Sequence, residues 1–279
     1  MKQLLAILSA ATIAASVHAG NITVKGSDTL LILAQKWAEV YMGDHKDVKI
    51  QVTGGGSGIG FAALQNQTTD LCDASRKAKP AEIANCIKAF GKRPTEYKVA
   101  LDGLSVYVNP ENPVKELTIA QVGDIFTGKI KNWKEVGGPD QPITIYSREN
   151  SSGTYEFFKS EVLKGQDFDA SAQTMPGTAA LVQAVTKDKG GIGYGGAAYG
   201  GNAKHLSIKA DDSSPAIEPT EDNIENKTYP IWRYLYVYVN PNLDKGDVAA
   251  YLNWMRSDAG QDYVKDIGYY PLPKNLRSN

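Results

Sequence analysis

Three stretches of this sequence gather Ser, Thr and Gly directly after a β-like run and directly before a helical one. They are Gly26-Ser27-Asp28-Thr29, Gly54-Gly55-Gly56-Ser57-Gly58 and Ser151-Ser152-Gly153-Thr154. A helix start leaves backbone N–H groups without partners and carries partial positive charge. Small residues let a ligand approach those donors, and hydroxyls add more. Arg148 stands four residues before Ser152 and supplies a planar, bidentate donor. Each cluster alone reads equally as an N-cap with a turn, since Ser, Thr and Asp are preferred caps. Three together predict a tetrahedral anion held by helix ends at the carboxyl ends of strands.

Other chemistries find less support. Gly191-Ile192-Gly193-Tyr194-Gly195-Gly196 fits the G-x-G-x-x-G spacing, but no clear strand precedes it and no helix follows. It reads as a close backbone turn rather than a dinucleotide site. The chain has no G-x-x-x-x-G-K-[ST] run for ATP. Ser57 lacks the nucleophile-elbow pattern because residue 59 is Ile. A Ser–His–Asp triad would need His45 or His205, and both read as surface residues. No local carboxylate pair has metal-ligand spacing, so neither a metal nor another cofactor is expected.

The elements that must position these loops alternate. Ile22–Lys25 reads as a strand, followed by a helix with Leu30, Leu33, Ala34, Trp37 and Tyr41 on one face. Val48–Val52 is a strand and Phe61–Gln65 a helix. Leu104–Asn109 is extended, Leu117–Phe126 helical, Ile143–Tyr146 a strand and Thr154–Leu163 a helix. Ala179–Val185 is helical, Gly190–Gly201 glycine-rich, and Asp211–Asn226 a polar loop. Trp232–Asn240 is an aromatic strand, and Val248–Met255 and Ala259–Asp266 are closing helices. This order predicts an α/β fold.

The chain has 279 residues, 42% of them hydrophobic, and a formal net charge of −1. That is enough for a sizeable core, and the charge gives no reason to expect nucleic acid. Met1-Lys2-Gln3 and the apolar stretch from Leu4 to Val17 read as a secretory signal over residues 1–19, cleaved after Ala19. The alternative, an uncleaved anchor, is disfavoured by the shortness of the run. No later stretch is apolar enough to span a bilayer. In an exported chain Cys72 and Cys86 are expected to form a disulfide, the alternative being two unpaired thiols. Closing a loop of about 15 residues would contribute about 3 kcal/mol.

Val24–Leu30, Thr53–Gly58 and Ser147–Thr154 resemble the two phosphate loops and the Arg-x-x-x-Ser-Gly-Thr signature of the periplasmic phosphate-binding proteins of ABC-type importers. Asp124–Ile130 with Asn132-Trp133, Gly191–Tyr194 and Gly268–Pro273 support the resemblance, which runs through essentially the whole mature chain. It implies a type II-like fold of two α/β lobes joined by two crossing strands and closing like a hinge. The crossings fall near Leu101–Val108 and Trp232–Asn240. Lobe one is then residues 20–104 plus 235–279, and lobe two residues 105–234.

Carried over by motif position, the implied ligand donors are Thr29, Leu30 through its backbone N–H, Ser57, Arg148, Ser152, Gly153 and Thr154. Ser27 and Gly58 are second contributors. Many members of the family carry Ser-Asp where this chain has Ser75-Arg76, and that Asp accepts the proton of hydrogen phosphate. Asp28 is then the available acceptor, unless it is a helix cap. Arg76 is either a ligand donor or the neutraliser of Asp28.

The implied function is a non-catalytic, monomeric periplasmic protein that hands inorganic phosphate to a membrane permease. Competing readings are a receptor for sulfate or molybdate, a secreted phosphatase, and a scaffold without a ligand. No activating His or metal cluster supports the phosphatase, and a scaffold would not need the donor clusters.

Overall fold

Short β-branched and aromatic runs separated by amphipathic segments build a twisted sheet flanked by helices. The computed structural model describes residues 20–277. Its first part runs β1 (Gly20–Gly26), α1 (Leu31–Asp44), β2 (Val48–Thr53), α2 (Ser57–Gln65), β3 (Leu71–Ala74), α3 (Pro80–Phe90) and β4 (Thr95–Val108). Next come β5 (Glu116–Thr118), α4 (Ile119–Phe126), β6 (Thr144–Arg148), α5 (Gly153–Glu161), β7 (Gln173–Met175), α6 (Thr178–Lys187) and β8 (Gly191–Gly196). The chain ends with β9 (Lys204–His205), β10 (Ser207–Lys209), α7 (Glu221–Glu225), β11 (Trp232–Val239), α8 (Gly246–Arg256) and α9 (Asp258–Ile267).

The main sheet has the order β2-β1-β3-β11-β4-β8-β6-β7. β1, β2 and β3 are parallel, and β11 runs antiparallel to β3 and β4. β4 is the long element, at 14 residues, or about 45 Å of extended chain. Its residues 95–103 pair with β11 and its residues 104–108 with β8. The partner changes at Gly103/Leu104, so one strand serves both halves of the molecule. Each half has its own core. One gathers Leu33, Trp37, Val99, Val237 and Leu252; the other gathers Val106, Ile125, Phe158, Ile192 and Tyr194.

Several expectations need correction. Gly191–Gly196 is not a turn but a fully buried strand, with β4 on one side and β6 on the other. Its glycines admit α6: a Cβ at Gly193 would lie 2.6 Å from Leu181 Cδ2, and one at Gly195 2.7 Å from Thr178 Cγ2. α3 went unpredicted, although Pro80 and a Glu82 reaching back to the Lys79 backbone mark its start. The polar stretch 211–226 contains α7, capped by Thr220. The expected disulfide is absent: Cys72 and Cys86 are free thiols. Both are buried in one apolar cluster with Phe61, Leu64 and Tyr238. Desolvation pushes the Cys86 thiol up to about 11 and the Cys72 thiol well up, so both stay protonated and pack as small apolar groups. The expected signal segment lies outside the described residues. No described helix is long and apolar enough to cross a membrane.

Candidate functional site

The three Ser/Thr/Gly loops meet. After β1, the Ser27 N–H donates to the Asp73 carbonyl (2.9 Å) and the Leu30 N–H to the Ser27 carbonyl (3.1 Å), turning the chain into α1. The Gly56 N–H donates to the Gly26 carbonyl and the Gly58 N–H to the Ser151 carbonyl, each at 2.9 Å. The second loop is therefore tied to the first and to the third. In the third, Ser152 Oγ accepts from the Tyr155 N–H (3.3 Å) and caps α5. Tyr199 donates to the Asp28 carbonyl (2.5 Å) and Tyr269 to the Thr29 carbonyl (2.6 Å).

Between the loops lies a cluster of buried hydroxyls. Thr29 Oγ1 and Thr154 Oγ1 are 2.8 Å apart. Ser75 Oγ stands 3.5 Å from Thr154 Oγ1 and 3.4 Å from Ser57 Oγ, and its N–H donates to Ser57 Oγ at 3.0 Å. Gly153 is what lets these groups approach: a Cβ there would sit 2.2 Å from Ser57 Oγ.

Arg148, at the end of β6, is 2% exposed. Its Nη1 donates to Thr178 Oγ1 (2.8 Å) and its Nη2 to Asp28 Oδ2 (2.7 Å). Nε is buried without a hydrogen-bond partner, the Glu149 carboxylate being 3.6 Å away. The Ser27 hydroxyl is likewise buried and unpartnered. Buried polar groups are rarely left so. A guanidinium with N–H bonds to spare, the first-turn N–H groups of α5 and several hydroxyls can together hold a compact oxyanion. Among the described residues, no group of three His, Cys, Asp or Glu side chains stands where it could hold a metal.

The structure brings Ser27, Asp28, Thr29, Ser57, Arg148, Ser152, Gly153 and Thr154 together. Leu30 and Gly58 are also here, with the backbone N–H of each already given to a carbonyl of the protein. Asp28 does not cap α1. Its Oδ1 accepts from the Gly55 N–H (2.8 Å) and its Oδ2 from Arg148. Arg76 neither neutralises Asp28 nor points its fork at the hydroxyls. Nη1 and Nη2 grip the two oxygens of Glu82 at 2.8 and 2.7 Å, and the guanidinium lies over the Phe61 ring.

Sequence reasoning missed Ser75, Thr178 and the buried pair Arg233–Asp102. Ser75 was visible beside Arg76, after a strand. Arg233 sits in a strand with no motif around it. Its Nη2 donates to Thr154 Oγ1 (3.1 Å), its Nη1 to the Ser75 carbonyl (3.0 Å) and its Nε to Asp102 Oδ2 (2.9 Å). Asp73, directly beneath the first loop, is pushed up to about 8 by burial.

Two lobes sharing crossing strands, with loops from both meeting on a buried donor set, define a solute-binding protein. The chain belongs to the PBP superfamily, whose domain model matches residues 11–259. Among curated relatives, it is 36% identical to the phosphate-binding protein PstS of Pseudomonas aeruginosa, over 94% of this chain and 86% of that one. It is 37% identical to PstS of Staphylococcus epidermidis, over 91% and 80%. Among solved structures, a substrate-binding protein from Clostridium perfringens with bound phosphate superposes with a TM-score of 0.83. The identity is 27%, over 91% of this chain and all of that one. An ABC-type phosphate transport receptor from Vibrio cholerae gives 0.71 at 27% identity, over 90% and 100%.

Proposed function

We propose that this protein captures inorganic phosphate between its lobes and delivers it to an ABC-type permease, without catalysing a reaction. One observation carries the reading: buried Arg148, with Nε unpartnered, is held by Asp28 of the first loop and by Thr178, where three loops rich in hydroxyls are tied together. The named relatives bind the same anion. Ser27, Gly153 and Ser75 complete the donor set. Asp28 acts first as the anchor of Arg148, since each of its oxygens already accepts a hydrogen bond. Arg76 serves the protein rather than the ligand. The lobes divide at residues 104/105 and 234/235, and the mature protein works as a periplasmic monomer after cleavage behind Ala19.

The test is calorimetry on protein stripped of co-purified phosphate. The expected result is 1:1 binding at micromolar affinity or tighter, about 8 kcal/mol or more. Sulfate and molybdate are titrated beside it. No heat and no thermal shift with phosphate overturns the reading; tighter sulfate or molybdate would reassign the ligand.

A further inference from the structure

Arg233 and Asp102 face each other across the two long strands at the centre of the sheet. β11 pairs with β4 there, with Arg233 opposite Asp102. Arg233 is 4% exposed and Asp102 fully buried. Nε and Nη2 of the arginine lie 2.9 and 2.8 Å from Asp102 Oδ2, and Asp102 Oδ1 accepts from the Ala197 N–H at 3.1 Å. The charge is thus balanced locally. What remains of the guanidinium is spent on two other groups: the Ser75 carbonyl and the Thr154 hydroxyl. Its Cζ lies 5.3 Å from the Phe157 ring centre, a contact that fixes it further.

The direction of one hydrogen bond matters. An arginine N–H can only donate, so Thr154 Oγ1 must accept from Arg233. A hydroxyl has a single hydrogen. With its oxygen engaged by Arg233, that hydrogen is directed away from the guanidinium, toward the side where Thr29 Oγ1 stands 2.8 Å off and Ser75 Oγ 3.5 Å off. On the lobe division proposed above, Ser75 belongs to lobe one and Thr154 to lobe two. One guanidinium holding both can do so only while the two lobes are together.

We propose that Arg233 is a positioning residue for anion capture: balanced by Asp102, it fixes Thr154 as a hydrogen-bond donor to the bound oxyanion and joins Ser75 to Thr154 when the cleft is shut. This rests on the phosphate-binding reading above.

The test is a mutant cycle read by phosphate titration. Thr154→Val removes the hydroxyl at constant shape. Arg233→Gln with Asp102→Asn removes both charges of the buried pair together and keeps an acceptor for the Ala197 N–H. Each is expected to weaken phosphate by about 10- to 100-fold. The triple variant should be no weaker than the worse of the two by more than about 2-fold, because both remove the same donor. A purely structural role for Arg233 would instead make the losses multiply, and that result overturns the proposal, as does unchanged affinity in the charge-pair variant. Should that variant fail to fold, Arg233→Lys keeps a cation beside Asp102. It lacks the fork needed to reach Ser75 and Thr154 together, so it should lose about 3- to 10-fold, and none of that loss should persist on the Thr154→Val background. Persistence there counts against the proposal. Wild-type protein that binds no phosphate would instead refute the underlying function.

Discussion

Arg148 and Arg76 are both buried guanidiniums paired with a carboxylate, yet the geometry assigns them opposite roles. The Arg76 fork is spent on both oxygens of Glu82. Nε is buried without a hydrogen-bond partner in both, so the difference lies in the terminal nitrogens: those of Arg148 go to Asp28 of the first loop and to Thr178. Arg148→Ala should therefore cost about 2–5 kcal/mol of phosphate binding. Arg76→Ala should leave affinity within about 3-fold and cost about 1–3 kcal/mol of stability, because Glu82 loses its partner. Titration and denaturant melts of both variants separate the two effects. Asp28→Asn should weaken phosphate and sulfate in parallel, since what it removes is the anchor of Arg148. A collapse of the phosphate-to-sulfate ratio would mean instead that Asp28 accepts the ligand proton. The Arg148 signature was legible because residue types at short spacing carry it. The partners of Asp28 and Arg76 were not, since Arg148 lies 120 positions from Asp28 and Glu82 belongs to a helix that went unpredicted.

Elements explain what the pattern hid. β8 reads as a turn because glycine has low strand propensity, and α6 packed on it is what demands glycine. Helices with a regular apolar face, such as α1, were plain. α3 was missed although Ile83, Ile87 and Phe90 recur at helical spacing, and within it the structure buries only Cys86. β3 carries another such surprise. Asp73 stands in a fully buried strand, and desolvation pushes its carboxyl up to about 8. Unfolded, it would titrate near pH ~4. Between these values the folded state holds the proton and the unfolded state has lost it. Stability therefore falls as pH rises through that window, by about 1.4 kcal/mol per unit at most, and levels off above the folded value. Asp73→Asn should remove this term. Urea melts without phosphate should show the variant more stable than the wild type at pH 7, with the gain shrinking to nothing near pH 4.

At the scale of the whole molecule, and on the lobe division proposed above, the contacts that define the site are also contacts between the lobes. Thr29 meets Thr154, Asp28 meets Arg148, the Gly58 N–H meets the Ser151 carbonyl, and Lys79 reaches Glu156 at 2.9 Å. Taking Ser57 and Ser75 as parts of lobe one and Gly153 as part of lobe two, the position that limits approach is Gly153. A Cβ there would lie 2.2 Å from Ser57 Oγ and 2.7 Å from Ser75 Oγ, well inside contact distance. In an open form both serines are withdrawn and the methyl meets nothing of the other lobe. Gly153 opens α5, where alanine is favoured over glycine by about 0.5–1 kcal/mol. Gly153→Ala should therefore move stability and binding in opposite directions. Without phosphate, the variant should melt at or slightly above the wild-type temperature. With phosphate, it should lose affinity by about 100-fold or more, as expected for overpacking at about 1–3 kcal/mol together with lost anion contacts. Small-angle scattering should show the wild type contracting as phosphate is added and the variant keeping its unliganded radius. Contraction of Gly153→Ala at wild-type phosphate concentrations would show that the serines yield, and that closure does not depend on a bare backbone at this position.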